Sequence, residues 1–120
     1  MSDLHKLGPR GEEYAWGLLK KRGDKLVARN FTCPLGELDL VTWQGRTLVF
    51  TEVRARSGTA FGSPAETITG AKQNKVRRAA NWFAQRTFKG GPLPDCRFDV
   101  VWLLAREGVI VESGIIEGAF

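Results

Sequence analysis

The chain has 120 residues, 42% of them hydrophobic and 26% charged, which suits one soluble globular domain with its own core and excludes a disordered chain. Its 18 Lys and Arg against 13 Asp and Glu leave a net charge of +5, with a pI near 9.6, and favour a polyanionic partner, nucleic acid first. No apolar run approaches membrane-spanning length, and Cys33 and Cys96 lack metal-ligand spacing; with no secretory segment ahead of them they are expected to be free thiols in a reducing cytoplasm.

Gly8-Pro9-Arg10-Gly11-Glu12-Glu13 opens a helix that runs through Tyr14-Ala15-Trp16 to Arg22, with Gly23 past its end. Pro at the start, acids in the first turn and bases in the last are consistent helix punctuation. Ala15, Leu18, Leu19 and Arg22 fall near one stripe. Glu12 either favours the helix N-terminus electrostatically or points toward the acidic patch described next. Lys25–Cys33 reads as a first strand, with Leu26, Ala28 and Asn30 alternating against Val27 and Phe31, and Pro34-Leu35-Gly36 turns the chain.

The stretches 36–43 and 48–54 both alternate apolar with polar residues and are rich in Val, Leu, Phe, Thr and Trp, the period of half-buried strands. Gln44-Gly45-Arg46-Thr47 between them is turn-like, so the two form an antiparallel hairpin. With a loop of two or four residues, opposed positions are expected to sum to 89, setting Asp39 against Phe50 and Glu37 against Glu52. Opposed residues share a sheet face, and so do residues two apart on one strand. Glu37, Asp39, Glu52 and Arg54 then crowd one patch, with Glu52 on the diagonal from Asp39; a three-residue loop would separate them. Three carboxylates on one patch repel each other unless something positive sits among them, either a divalent metal or an arginine. Ordinary strand-end charges paired with arginines would produce the same pattern.

After Arg54, residues 55–64 read as a loop by their Gly, Ser and Pro content, either a substrate-contacting loop or a passive connector. Thr69 is a plausible N-cap for a helix running to about Phe88, with Val76, Ala80, Phe83 and Ala84 as its core stripe. Lys72, Lys75, Arg78, Arg86 and Trp82 gather on a neighbouring sector. Basic residues with an aromatic among them suit a phosphate backbone with an exposed base, although each alone also fits a solvated face. Lys89–Asp95 is a loop. Phe98–Leu104 follows as a strand apolar enough to be buried on both faces, hence central, and Val109–Ile116 as another. Asp99 is either a loop-end charge or a structural partner for an arginine. Helix, three strands, helix and two strands in that order give an α/β sandwich with a mixed β-sheet of about five strands.

Gly8-x-x-Gly11-Glu12-x-x-Ala15, Ala28-Arg29-Asn30, Gly36-Glu37-Leu38-Asp39-Leu40, Phe50-Thr51-Glu52-Val53-Arg54, Phe61-Gly62-Ser63-Pro64 and Arg97-Phe98-Asp99-Val100-Val101 together resemble the YraN-like bacterial family. That family is similar to archaeal Holliday-junction resolvases within the PD-(D/E)XK nuclease superfamily. The likeness covers nearly the whole chain, with its motifs in order. It implies a single restriction-endonuclease-like domain with a three-layer core, and a homodimer by analogy with the resolvases.

Carried over by position, the resemblance places a helix glutamate at Glu12 and the metal-binding aspartate at Asp39. Glu52 takes the place of the acid that opens the E-x-K motif, and Arg54 stands where lysine is expected. Glu37 belongs to the Gly-Glu-x-Asp signature and would be a further ligand or a neighbour of one. Asp39 and Glu52 would then hold magnesium, with manganese as substitute, through hard oxygens. The implied nucleic-acid contacts add Arg56 to the helix sector. Lysine can lose a proton when desolvated; arginine keeps its charge, so Arg54 can clamp a phosphate but cannot act as a general base. Three functions therefore compete: a magnesium-dependent endonuclease acting on branched DNA, a catalytically weak or inactive nucleic-acid-binding module of the same fold, and a protein-interaction adaptor with a structural charge cluster.

Overall fold

The computed structural model describes residues 8–57 and 68–120. Helix α1 (Pro9–Arg22) is followed by β1 (Lys25–Cys33), β2 (Gly36–Gln44), β3 (Thr47–Ser57), α2 (Gly70–Thr87), β4 (Asp95–Arg106) and β5 (Val109–Ile116). The strands form one sheet in the order β1-β2-β3-β4-β5. Three of its pairings are antiparallel. The exception is β3 with β4, which run parallel because the crossover through α2 returns the chain in the same direction.

The two helices cover opposite faces of the sheet. Ala15 and Leu19 of α1 pack against Leu40, Val53, Val101 and Leu103. On the other side, Val76, Ala79, Ala80 and Phe83 of α2 pack against Leu38, Val41, Leu48 and Phe50. This is the three-layer mixed α/β core expected of a restriction-endonuclease-like fold.

Both helices begin and end where their punctuation places them. Pro9 occupies the first turn of α1, and Gly23 ends it in the left-handed conformation, φ 102°. Thr69 caps α2, its hydroxyl accepting the Lys72 N–H at 3.2 Å.

The strands differ from expectation in four ways. Ala55–Ser57 belong to β3, not to a loop, because they pair with Leu103–Ala105 of β4; the rest of the expected loop, including Phe61-Gly62-Ser63-Pro64, lies outside the described residues. At the other end of that ladder Thr47–Val49 recruit Asp95–Arg97, so β4 starts three residues before Phe98. Although buried on both faces at Val100, Val101 and Leu103, β4 is second from the sheet edge, and β3 is central. In β1, a bulge between Leu26 and Ala28 breaks the alternation: Val27 and Ala28 both pack toward α2, and Leu26 is exposed.

The end of α1 is anchored to the sheet through a buried carboxylate. Asp99, fully buried at the start of the apolar run of β4, accepts from Arg97 Nε at 2.8 Å, from Arg22 Nη1 at 3.0 Å and from the Gly118 N–H at 3.0 Å. Arg22 also forks onto Asp24, whose carboxylate takes the buried Thr42 hydroxyl. Burial alone pushes the Asp99 carboxyl upward, but the hydrogen bonds from Arg97, Gly118 and Arg22 outweigh it and hold the group below the usual carboxylate range. Its stabilising contribution is therefore complete above the ordinary carboxylate pKa of about 4 and fades as pH falls through the depressed folded value. Asp99→Asn is expected to cost about 3 kcal/mol at neutral pH by leaving two guanidiniums short of their partner. In urea melts, the gap between wild type and variant should narrow toward pH 3.

Candidate functional site

The β2–β3 loop has two residues, Gly45 and Arg46, with Gly45 at φ 59°, a backbone state that suits glycine in a tight hairpin. Every ladder pair from Gln44↔Thr47 to Leu40↔Thr51 sums to 91, not 89. The pairing is thus two residues out from the expected register, because Gln44 lies opposite Thr47 across that loop. A shift of two preserves the faces. Asp39 does not oppose Phe50, whose partner is Val41; carried one residue past the last pair, the register sets Asp39 across from Glu52.

At that point the hairpin changes character. Leu40 packs beneath α1, whereas Leu38 and Val41 both pack beneath α2. Strict alternation therefore breaks around Asp39. The neighbouring strand breaks with it: Arg29 and Phe31 pair with Leu40 and Leu38, and Asn30 between them has φ 50°. Beyond the end of the β2–β3 ladder, the Asp39 carboxylate accepts the Val53 N–H at 2.8 Å.

The result is a cavity of about 450 Å³ lined by Glu12, Asn30, Glu37, Asp39, Glu52 and Arg54, with Lys72 reaching in from the first turn of α2. Glu52 is only 3% exposed. Lys72 Nζ lies 3.6 Å from its Oε1. Burial, and then repulsion from Asp39, push the Glu52 carboxyl up to about 8; Lys72, the Asp39 backbone N–H and Arg54 pull the other way. Asp39 is also raised, first by burial and further by Glu12, against the Val53 N–H, Lys72 and Arg54. Burial, more than their mutual repulsion, keeps these two carboxyls from ionising freely. A larger hollow of about 600 Å³, lined by Gly23, Lys25, Trp43, Gly45 and Arg46, contains no carboxylate.

Glu12, Glu37, Asp39, Glu52 and Arg54 thus share one cavity, although not equally. Glu37 is exposed, and Glu12 accepts the Asn30 amide at 2.8 Å. Among the described residues no three carboxylate, imidazole or thiol groups converge tightly enough to enclose a metal ion by themselves.

The expected nucleic-acid contacts are spread more widely. Lys75, Arg78 and Arg86 are exposed along α2. Trp82 is half-buried against Phe31, with the Arg86 guanidinium 4.0 Å above its ring. Arg56 sits in β3, alongside Leu104. Two participants escape sequence reasoning. Lys72 reads as part of an outer basic sector, yet it enters the carboxylate cavity. Asn30 stands in the Ala28-Arg29-Asn30 motif, but neither its left-handed backbone nor the contact of its amide with Glu12 has a sequence signal.

Residues 11–103 match the uncharacterised protein family UPF0102. The chain belongs to UPF0102. This is the YraN-like group that the motifs resemble. The UPF0102 protein of Pelotomaculum thermopropionicum is 44% identical over 122 residues that span all of both chains. That of Moorella thermoacetica is 45% identical over 116 residues, 94% of this chain and 93% of its own, and that of Nocardia farcinica 42% over 109 residues, 90% and 84%. Among the described residues no helix is long and apolar enough to cross a membrane.

The raised Glu52 carboxyl adds a pH dependence above the range that Asp99 governs. A carboxyl whose folded pKa lies above its unfolded one keeps a proton that the unfolded chain releases, so stability falls as pH rises from about 4.3 to about 8. Without divalent cations, the thermal midpoint should drop across that window. In Glu52→Gln the drop should be largely abolished, as differential scanning fluorimetry over pH 5–8 would show.

Proposed function

We propose that this chain is a metal-dependent endonuclease that hydrolyses phosphodiester bonds of structured DNA. The observation that carries the reading is the pairing of half-buried Asp39 with buried Glu52 from adjacent strands, opening into a cavity that also contains a lysine and an arginine. The donor set suits magnesium, which takes hard oxygens, usually through one or two carboxylates, and completes its shell with water and substrate phosphate. A two-carboxylate site is thus sufficient for it, and a closed cage of three protein ligands is not required.

Asp39 and Glu52 would hold the ion. Bound there, a divalent cation would supply Lewis-acid polarisation of the phosphate and an acidified water. The chain's own groups do the rest. The Val53 N–H fixes the Asp39 carboxylate, which stops it turning away from Glu52. Lys72 offsets the negative charge of the pair until a cation arrives. Arg54, always charged, offers a planar fork to two phosphate oxygens and stabilises charge that builds up on them during attack. Glu12, oriented by Asn30, offers an oxygen that can hold a water at the cavity rim.

A second reading, a binding module of the same fold that does not cleave, is favoured by Arg54 in place of a titratable lysine. Cleavage assays on junction, flap and linear duplex DNA with and without magnesium or manganese separate the two. Asp39→Asn is expected to reduce magnesium-dependent cleavage by at least 100-fold while DNA affinity stays within about twofold. Salt-sensitive DNA binding without any cation effect would instead establish the binding module. Arg54→Lys should weaken phosphate clamping; a faster reaction in that variant would mean that arginine holds the rate down.

A further inference from the structure

Helix α2 carries five basic residues, Lys72, Lys75, Arg77, Arg78 and Arg86, and no acid. Those five account for the chain's whole net charge of +5, because the remaining thirteen Lys and Arg balance the thirteen Asp and Glu. A helix that merely faces water usually interleaves acids with bases at i, i+4 spacing; this one does not. Its inner face is spent on Val76, Ala79, Ala80, Phe83 and Ala84.

The ridge directly opposite that inner face has an unusual composition. Asn74, Arg78, Asn81 and Gln85 follow at i, i+4, i+7 and i+11, so they form one line along the helix, and all four are exposed. Arg, Asn and Gln are the side chains that pair bidentately with base edges in the DNA major groove. Lys75 and Arg86 flank the ridge on one side. Arg77 flanks it on the other, its guanidinium 5.8 Å and 5.4 Å from the Phe98 and Phe120 ring centres. Beside Arg77 the β1–β2 turn, with Leu35 exposed, closes a hollow of about 430 Å³ against Asn74, Arg78 and Asn81.

We infer that α2 is a major-groove recognition helix for B-form duplex DNA, with Asn74, Arg78, Asn81 and Gln85 facing base edges and Lys75, Arg77 and Arg86 facing the two bordering phosphate strands. A helix about 10–12 Å across fits the major groove of B-DNA, about 12 Å wide, and the 18 residues of α2 extend about 27 Å, ample for one pass through it. The deep, narrow major groove of A-form RNA does not admit it. The inference rests on the proposed function in one respect: the duplex held on this outer ridge is taken to be the substrate, whereas Lys72, about 160° around the axis from Asn74, faces the carboxylate cavity on the other side of α2. It selects DNA over RNA and duplex over single strand as the bound partner.

The test uses the full chain without divalent cation, so that binding is measured apart from cleavage. Fluorescence anisotropy on a DNA duplex, an RNA duplex of equal sequence and the single DNA strand should show the DNA duplex bound at least tenfold more tightly than either. Arg78→Ala and the double variant Asn74→Ala with Asn81→Ala should each lose about tenfold on duplex DNA; all three positions are exposed, and circular dichroism checks the fold. Lys75→Ala and Arg86→Ala should each lower the slope of log affinity against log salt by about 1. Dimethyl sulfate footprinting should show guanine N7 protection that disappears in Arg78→Ala. Equal affinity for DNA and RNA duplexes, or unchanged binding in the ridge variants, overturns the inference even if magnesium-dependent cleavage is found. Duplex binding with the expected variant losses but no cleavage sustains it and overturns only the hydrolytic reading.

Discussion

Two carboxylates that would separate in water are held together here by backbone geometry. Asp39 and Glu52 come from adjacent strands, and burial raises the pKa of both, with Asp39 pushing Glu52 further, yet a main-chain N–H from Val53 and an ammonium from α2 keep them within one cavity. The energetic strain of that arrangement is local, and the surrounding core makes it tolerable. On either side of the sheet, Leu40 and Val53 are locked under α1, and Leu38 and Val41 under α2. Two such acids on a less rigid hairpin would relax by letting one side chain swing into solvent. The fold thus holds two acids together in one cavity where neither can move out to water.

At the opposite end of α1, a buried acid meets the reverse treatment. Asp99 has burial against it just as Glu52 does, but it meets two guanidiniums and a backbone N–H, and its carboxyl stays below the usual range. The same residue class serves two purposes according to what surrounds it. Where partners saturate the oxygens, the carboxylate fastens the end of a helix to the sheet. Where they do not, it is left with capacity for something further.

Features decided within a few residues were legible in the sequence. Pro9 and Gly23 bound α1 and Thr69 starts α2, because caps act within one turn. The strands Lys25–Cys33 and Val109–Ile116 match their expected ranges. Features decided at a distance were not. The ends of β3 and β4 depend on a parallel ladder that brings Thr47 next to Asp95 and Ser57 next to Ala105. The hairpin register was displaced by two residues, which left the shared face intact and altered only who opposes whom. Neither the change of face between Leu38 and Leu40 nor the entry of Lys72 into the cavity has a local signature. The first needs a left-handed residue on the neighbouring strand, and the second needs the whole β3–α2 crossover.

The Thr69 cap ties the end of that crossover to the cavity. Its hydroxyl holds the N–H of the very residue whose amine reaches Glu52, so the first turn of α2 is fastened at the point where Lys72 leaves it, with Val76, Ala79 and Phe83 fixing the helix on the sheet. If α2 docked one residue out of register, that amine would rotate by about 100° around the axis and leave Arg54 as the cation of the cavity. A single threonine at a loop's end therefore indexes the cavity's positive charge to the rest of the sheet, as a keyway aligns a shaft.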